Sequence, residues 1–389
     1  MLSNRLYRAL FAAQVVSLLG TGLATVALGL LAYDLTGAGA GAVLGGLLAI
    51  KMVANIVVAP VAASLTARMD RRTLLVALDA VRAAVVCVLP WVDAVWQVVA
   101  LVAVLQVASA AFTPTFQAVI PAVLPDQRDY TRALSLSRLA YDLEALLSPV
   151  LAAALLTVVG FSWLFVGTAV GFIGSAALVL TTRLPRPDPV PRRLTAGLTA
   201  YLRTPVLRAQ VGLNLAAASA GALVLVDTVV IVQVRLGRPV TSVAIALAAF
   251  GAGSMATALG LPRLLDREPP RRVMLTAAGT LPVLLLTAPV LITSWPSLLA
   301  LWVLIGAMYS AVLTPVGRLI RDTSGDLPAL FAAQFALSHA GWLVTYLLVA
   351  ALPVTVAALV LAGVAGLGVG FGVHTWKHED LFTIMLTKT

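Results

Sequence analysis

Runs of about 20 apolar residues recur along the chain, each followed by a short polar or basic stretch, and 20 residues is the length of a helix that crosses the hydrocarbon core of a bilayer. The pattern predicts twelve spans, at 9–32, 41–65, 73–91, 95–120, 134–158, 161–182, 206–232, 240–262, 273–290, 297–320, 328–351 and 354–375. Within them Ala, Leu and Val follow one another without a two-residue alternation, which excludes a transmembrane β-barrel. Proline and glycine inside the spans are compatible with membrane helices, where neighbouring helices re-satisfy freed backbone groups. The expected fold class is an all-α membrane protein.

Composition supports this pattern: 61% of residues are hydrophobic and 11% charged, against about 25% charged in a soluble domain. The net charge of +10 would suit nucleic acid, but its distribution points elsewhere. Of 26 Lys and Arg, 22 fall on the side of the N-terminus or within about a turn of it; only Arg235 and Arg238 lie opposite, with Lys51 and Arg82 deeper inside spans. Basic loops stay in the cytoplasm, so both termini and the long central loop are expected there. The chain is expected to be a multi-pass protein of the cell's inner membrane with the lipid bilayer, not nucleic acid, as its surroundings. Cys87 stands alone, which excludes an intrachain disulfide. No Walker-type phosphate loop is present, and three histidines with one cysteine suggest no nucleophilic catalysis. Neither enzyme activity nor a cofactor is expected.

The two halves echo each other at an offset near 200 residues. Phe112-Thr113-Pro114 matches Leu313-Thr314-Pro315, Arg71-Arg72 matches Arg271-Arg272, and Gln14-Val15 resembles Gln210-Val211. The common offset indicates duplication, which predicts two pseudo-symmetric six-helix bundles at 1–182 and 206–375, a linker at 183–205 carrying Pro185, Pro187, Pro189 and Pro191, and a cytoplasmic tail at 376–389. Two repeats around a midplane site are the architecture of alternating access.

The loop Ala63-Ser64-Leu65-Thr66-Ala67-Arg68-Met69-Asp70-Arg71-Arg72 resembles the G-x-L-a-D-R-x-G-R-R signature of the major facilitator superfamily, with Ala63, Ala67 and Asp70 as departures. A second copy, Asp266-Arg267-Glu268-Pro269-Pro270-Arg271-Arg272, keeps the Asp-Arg pair. The run Glu144 to Ala153, with Ser148-Pro149 at its centre, is similar to the G-x-x-x-G-P-x-x-G-G motif of the family's antiporters. The arginine that many drug antiporters carry in span four is absent; Ala103 stands three residues before Gln106. Ala111-Phe112-Thr113-Pro114, Ile120-Pro121-Ala122-Val123-Leu124-Pro125 and the stretch Thr131 to Glu144 resemble bacterial efflux permeases of the macrolide-exporter and nickel-resistance kind. The resemblance implies a functional monomer that exports a drug-like compound or a divalent metal ion in exchange for protons. An importer on the same fold, a sensor and a membrane-embedded enzyme remain as alternatives.

An ionisable side chain inside the bilayer costs roughly 2.5–3.5 kcal/mol on insertion scales, so each one needs a partner or a function. Arg138 and Asp142, four apart, share a helix face and can pair. Glu144 points away from that face and has no basic residue one turn distant. Asp227 lies among apolar and hydroxyl neighbours in span seven. Glu144, Asp227 and Asp142 are the acidic candidates for coupling, with Lys51 as a possible counter-charge. His339 adds an imidazole that can titrate near neutral pH, bind metal or simply hydrogen-bond. Asp79 and Arg82, three apart, pair in span three; with Arg68, Asp70, Arg71, Arg72 and Arg138 they are the candidates for a cytoplasmic gate, and topology signalling is the alternative for the arginines. His374 and His378 have i,i+4 spacing suited to a metal but supply half a tetrahedral shell.

Overall fold

Twelve helices among the described residues are long and apolar enough to cross a membrane. The computed structural model describes residues 2–185, 195–323 and 325–386, with the backbone alone for 38 and 377–386. The helices are α1 (Arg5–Thr36), α2 (Ala40–Leu65), α3 (Arg71–Val88), α4 (Val95–Val123), α5 (Gln127–Leu156), α6 (Ser162–Leu180), α7 (Ala196–Arg203), α8 (Pro205–Val230), α9 (Thr241–Leu265), α10 (Pro270–Leu291), α11 (Trp295–Leu313), α12 (Val316–Arg321), α13 (Leu327–Ala351) and α14 (Val354–Leu386). No strand occurs among the described residues. The predicted all-α membrane class holds.

Several helix starts carry polar caps. Asn4, Asp70 and Asp126 each accept backbone N–H bonds from the first turn of the helix that follows, satisfying donors that have no intrahelical acceptor. Outward faces are apolar, with Val170, Leu259 and Leu367 among the most exposed side chains, as a lipid solvent requires.

The chain divides into two compact units, one comprising Met1–Ala133, Leu143–Leu198 and Asp326–Ala336, the other Leu134–Asp142, Thr199–Gly325 and Leu337–Thr389. In the first, α1 and α3 pack on α6, and α2 and α3 pack on α4. Leu23, Val86, Val98, Val102, Phe165 and Phe172 form its core. In the second, α8 and α10 pack on α14, and α9 and α10 pack on α11. Each has a glycine pair where two backbones touch. A methyl added at Gly171 on α6 would lie 3.0 Å from the Cα of Gly20 on α1, and one added at Gly368 on α14 would meet the carbonyl oxygen of Gly212 on α8. Such close approach lets membrane helices gain van der Waals contact where no hydrophobic drive between them exists.

Three local features differ from the predicted layout. The segment read as a linker holds the short helix α7, whose Tyr201 is fully buried and whose Gly197 abuts the carbonyl of Ala329; 186–194, with Pro187, Pro189 and Pro191, lie outside the described residues. The segment read as a tail continues α14 as helix to Leu386, which takes in the apolar run from Leu381. The two Thr-Pro motifs also diverge. α4 runs through Pro114 without interruption, whereas the tenth span stops at Leu313 and resumes at Val316. Proline removes one N–H donor and crowds the carbonyl four residues back. In α4, Thr113 and Thr115 donate their hydroxyls to the carbonyls of Ser109 and Ala111 at 3.3 and 2.8 Å, and the helix continues. After Pro315 come Val316 and Gly317, both poor helix formers, and the turn restarts with Arg318 N–H on the Pro315 carbonyl at 2.9 Å.

Candidate functional site

The gate candidates separate into two groups. Arg68 is exposed, and Arg71 and Arg72 are half-buried at the start of α3. Asp70 is the N-cap of α3, accepting from the Thr73 amide and hydroxyl, both at 3.0 Å. Arg72 donates to the Thr182 carbonyl beyond the end of α6 at 3.3 Å. Asp79 and Arg82 lie two to three turns further along α3, fully buried and ion-paired. The Arg82 guanidinium stands 4.0 Å from the ring centroid of Phe112 on α4 and 4.4 Å from that of Phe172 on α6. This aromatic sandwich ties three helices of the first unit together. At the other end of the chain, just past α12, burial pushes the Asp322 carboxyl above the ordinary carboxylate range, against the pull of Arg318 and Arg321.

Glu144 is half-buried on α5. Lys51 on α2 is the cation whose field reaches it, and no ion pair within 4 Å joins the two among the described residues. Glu144 sits above Gly22 of α1: a methyl at Gly22 would lie 2.8 Å from the Glu144 Oε1 and would collide with Ser148. The glycine therefore admits the Glu144–Ser148 face of α5 against α1.

In the second unit the Arg138–Asp142 pair forms as the spacing predicts. Arg138 donates from Nη2 to the Asp142 Oδ1 at 2.6 Å and from Nε to Oδ2 at 3.3 Å. Sequence reading missed two partners. Ser254 on α9 donates to the Asp142 Oδ2 at 2.6 Å and accepts from the Arg138 Nε at 3.1 Å. Tyr309 on α11 lies with its ring centroid 4.7 Å from the guanidinium carbon. Both carboxylate oxygens are thus satisfied by a two-pronged pair plus a hydroxyl, the arrangement that makes a buried pair tolerable.

Asp227 on α8 is 5% exposed, and its Oδ2 has no hydrogen-bond partner among the described residues. The next residue is anchored: the indole N–H of Trp302 donates to the Thr228 Oγ1 at 2.9 Å, and that hydroxyl donates to the Val224 carbonyl. Four residues past Asp227 the helix widens into a π-turn at Ile231–Arg235, a local geometry often found at functional sites. His339 is half-buried on α13. His374 is exposed near the end of α14, and the side chain of His378 lies outside the described residues. No three His, Cys, Asp or Glu side chains converge among the described residues.

The twelve-span helical scaffold thus buries three acids: Asp79 and Asp142, each ion-paired to an arginine, and Asp227, whose Oδ2 has no donor among the described residues. Residues 10–281 match the family model of the Major Facilitator Superfamily. The chain belongs to this superfamily. No curated protein matches the chain. Among solved structures it is similar to a bacterial homologue of the iron transporter ferroportin in an outward-facing state, at TM-score 0.80 and 13% identity, covering 96% of this chain and 99% of that one. The human organic anion transporter MFSD10 (TETRAN) is similar at TM-score 0.79 and 13% identity, with 95% and 99% covered. The fucose:proton symporter FucP of E. coli follows at TM-score 0.71 and 13% identity, with 95% and 98% covered. These likenesses establish the major facilitator fold. As a member of this superfamily, the protein is a transporter and not an enzyme.

Proposed function

We propose that this major facilitator protein is a proton-coupled efflux permease that exports a small solute by alternating access. The observation that carries the reading is Asp227: the residue is 5% exposed, and its Oδ2 has no donor among the described residues. In hydrocarbon such a group is costly unless it takes up and releases a cation, and a proton is the cation that needs no further ligands. Glu144, facing Lys51, is the second carrier, and Asp142 is held by Arg138 in the resting state. Roughly 3.7 kcal/mol is available to each proton that enters down 100 mV and one pH unit, enough for a several-hundred-fold solute gradient.

Export is favoured by the likeness of the Glu144–Ala153 run to the superfamily's antiporter motif. In this reading the moving bodies are 1–182 and 206–375, the inner membrane holds the chain with both termini in the cytoplasm, and the loop residues Arg68, Asp70, Arg71 and Arg72 act with the Arg138–Asp142 pair at the inner gate. Asp79 and Arg82, within their aromatic sandwich, serve as a fixed brace. The three structural neighbours carry different cargoes by name, so the fold alone selects none.

The test is transport in vesicles holding purified protein, driven by an imposed pH gradient and challenged with nickel, cobalt, macrolides and cationic dyes. Wild type is expected to move at least one of these against its gradient, and Asp227→Asn to lose proton-driven movement by a hundredfold or more while retaining passive exchange. Proton-independent transport by wild type, or full coupling in Asp227→Asn, would sink the proposal.

A further inference from the structure

Four aromatic rings follow one another across three helices of the second unit. Phe250 on α9 stands 5.4 Å from Tyr309 on α11, Tyr309 stands 6.1 Å edge-on from Trp342 on α13, and Trp342 stands 5.1 Å from Tyr346. These separations are those at which ring quadrupoles attract. The wall is graded: Phe250 and Tyr309 are buried, whereas Trp342 and Tyr346 are half-exposed. Half-exposure here is not contact with lipid. The outward face of α13 carries Val344 and Leu347, 51% and 62% exposed. At about 100° per residue, Trp342 points roughly 140–160° away from both, Tyr346 lies about 160° from Val344 and about 100° from Leu347, and His339 falls on the side of the two rings. Trp342, over Gly221 and edge-on to Tyr309, therefore looks into the protein, and the Tyr346 ring packs beside it.

The site is also built. Gly221 on α8 lies directly beneath the Trp342 indole, and any side chain there would meet the ring. Thr228, two turns on, is held by Trp302 of α11. At the buried end of the wall a cation already rests on a ring, Arg138 over Tyr309 at 4.7 Å. Away from the span ends, the charges in this unit are Arg138, Asp142 and Asp227, and the ion pair consumes the first two. The uncompensated charge is negative. Negative ring faces and an acid with no cation favour a flat organic cation over an anion. A divalent metal finds one imidazole, His339, and otherwise rings where it needs several oxygen, nitrogen or sulfur ligands, and no three such side chains converge among the described residues.

We infer that Trp342 and Tyr346, seated on Gly221, form the recognition wall for a planar aromatic cation, and that these two rings set the specificity of the transporter. The inference rests on the export reading only for its physiological meaning, since binding is measured without a gradient. The experiment uses the full chain in lipid nanodiscs, with ethidium as probe and fluorescein and Ni²⁺ as the anionic and metal comparisons. Wild type is expected to bind ethidium at least tenfold more tightly than fluorescein. Trp342→Ala and Tyr346→Ala should each weaken ethidium about tenfold, whereas Trp342→Phe should stay within about threefold. Gly221→Ala, which shifts the indole without deleting it, covers the case in which the alanine variants fail to fold and should change ethidium affinity at least threefold. Unchanged ethidium affinity in the folded ring variants and in Gly221→Ala overturns the inference. So does preferential binding of fluorescein or Ni²⁺ by wild type. Intact ethidium binding with no proton-driven export would count against the coupling role of Asp227 alone.

Discussion

The first six spans and the last six solve the same packing problem in the same way and then part company at their polar groups. α1 and α3 on α6, with α2 and α3 on α4, are repeated as α8 and α10 on α14, with α9 and α10 on α11. The glycine contact recurs as well, Gly20 with Gly171 and Gly212 with Gly368. A buried Arg–Asp pair occurs in each unit, Asp79–Arg82 between Phe112 and Phe172 in the first and Arg138–Asp142 with Ser254 in the second. The second unit adds Asp227, whose Oδ2 has no donor among the described residues, and a tenth span interrupted at Thr314-Pro315. Duplication preserves what backbones need in order to touch. Polar side chains and helix breaks are free to diverge, and they have given the second unit a buried acid and a broken span beside its own ion pair.

The largest test of that contrast removes the brace. Arg82→Ala strands Asp79 inside the first unit, and losing one partner of a buried pair costs about 3–5 kcal/mol. Thermal unfolding in detergent should show a fall of many degrees, and a melting point near wild type would mean that the pair holds nothing. Next come the shared glycines. Gly171→Ala and Gly368→Ala force a methyl against the facing backbone, and overpacking of this kind costs about 1–3 kcal/mol. Equal losses in the two variants would confirm that the crossings are equivalent, whereas a loss in only one would break the symmetry. The smallest effect concerns the prolines. Pro315→Ala should let the tenth span close its helical ladder and slow transport several-fold, while Pro114→Ala, in a helix already continuous, should leave the rate within twofold.

Much of this architecture was legible in the chain. Apolar length located the spans, because a bilayer imposes one length on every helix, and four-residue spacing paired Arg138 with Asp142. The rest depended on groups that do not stand out in such a background. Ser254 and Tyr309 complete the Asp142 network from helices more than a hundred residues away, yet a lone hydroxyl or ring in a membrane span is ordinary. Asp79 and Arg82 read as neighbours of the loop arginines because they are close in sequence; a helical rise of about 1.5 Å per residue carries them well inside instead. α7 was hidden among prolines, and the identical Thr-Pro pairs gave no hint that one helix would continue and the other would stop. What separates them is the residue pair that follows, Thr115-Phe116 in one case and Val316-Gly317 in the other.

The touching backbones at Gly20–Gly171 and Gly212–Gly368 also carry a genetic consequence. Every single-nucleotide change of a glycine codon that is not synonymous inserts at least a methyl group or ends the chain, so none of these four positions has a silent neighbour among amino acids. In a randomly mutagenised gene under selection for transport they should stand as coding blanks, tolerant of synonymous change alone, amid long stretches where Ala, Val, Leu and Ile interchange freely.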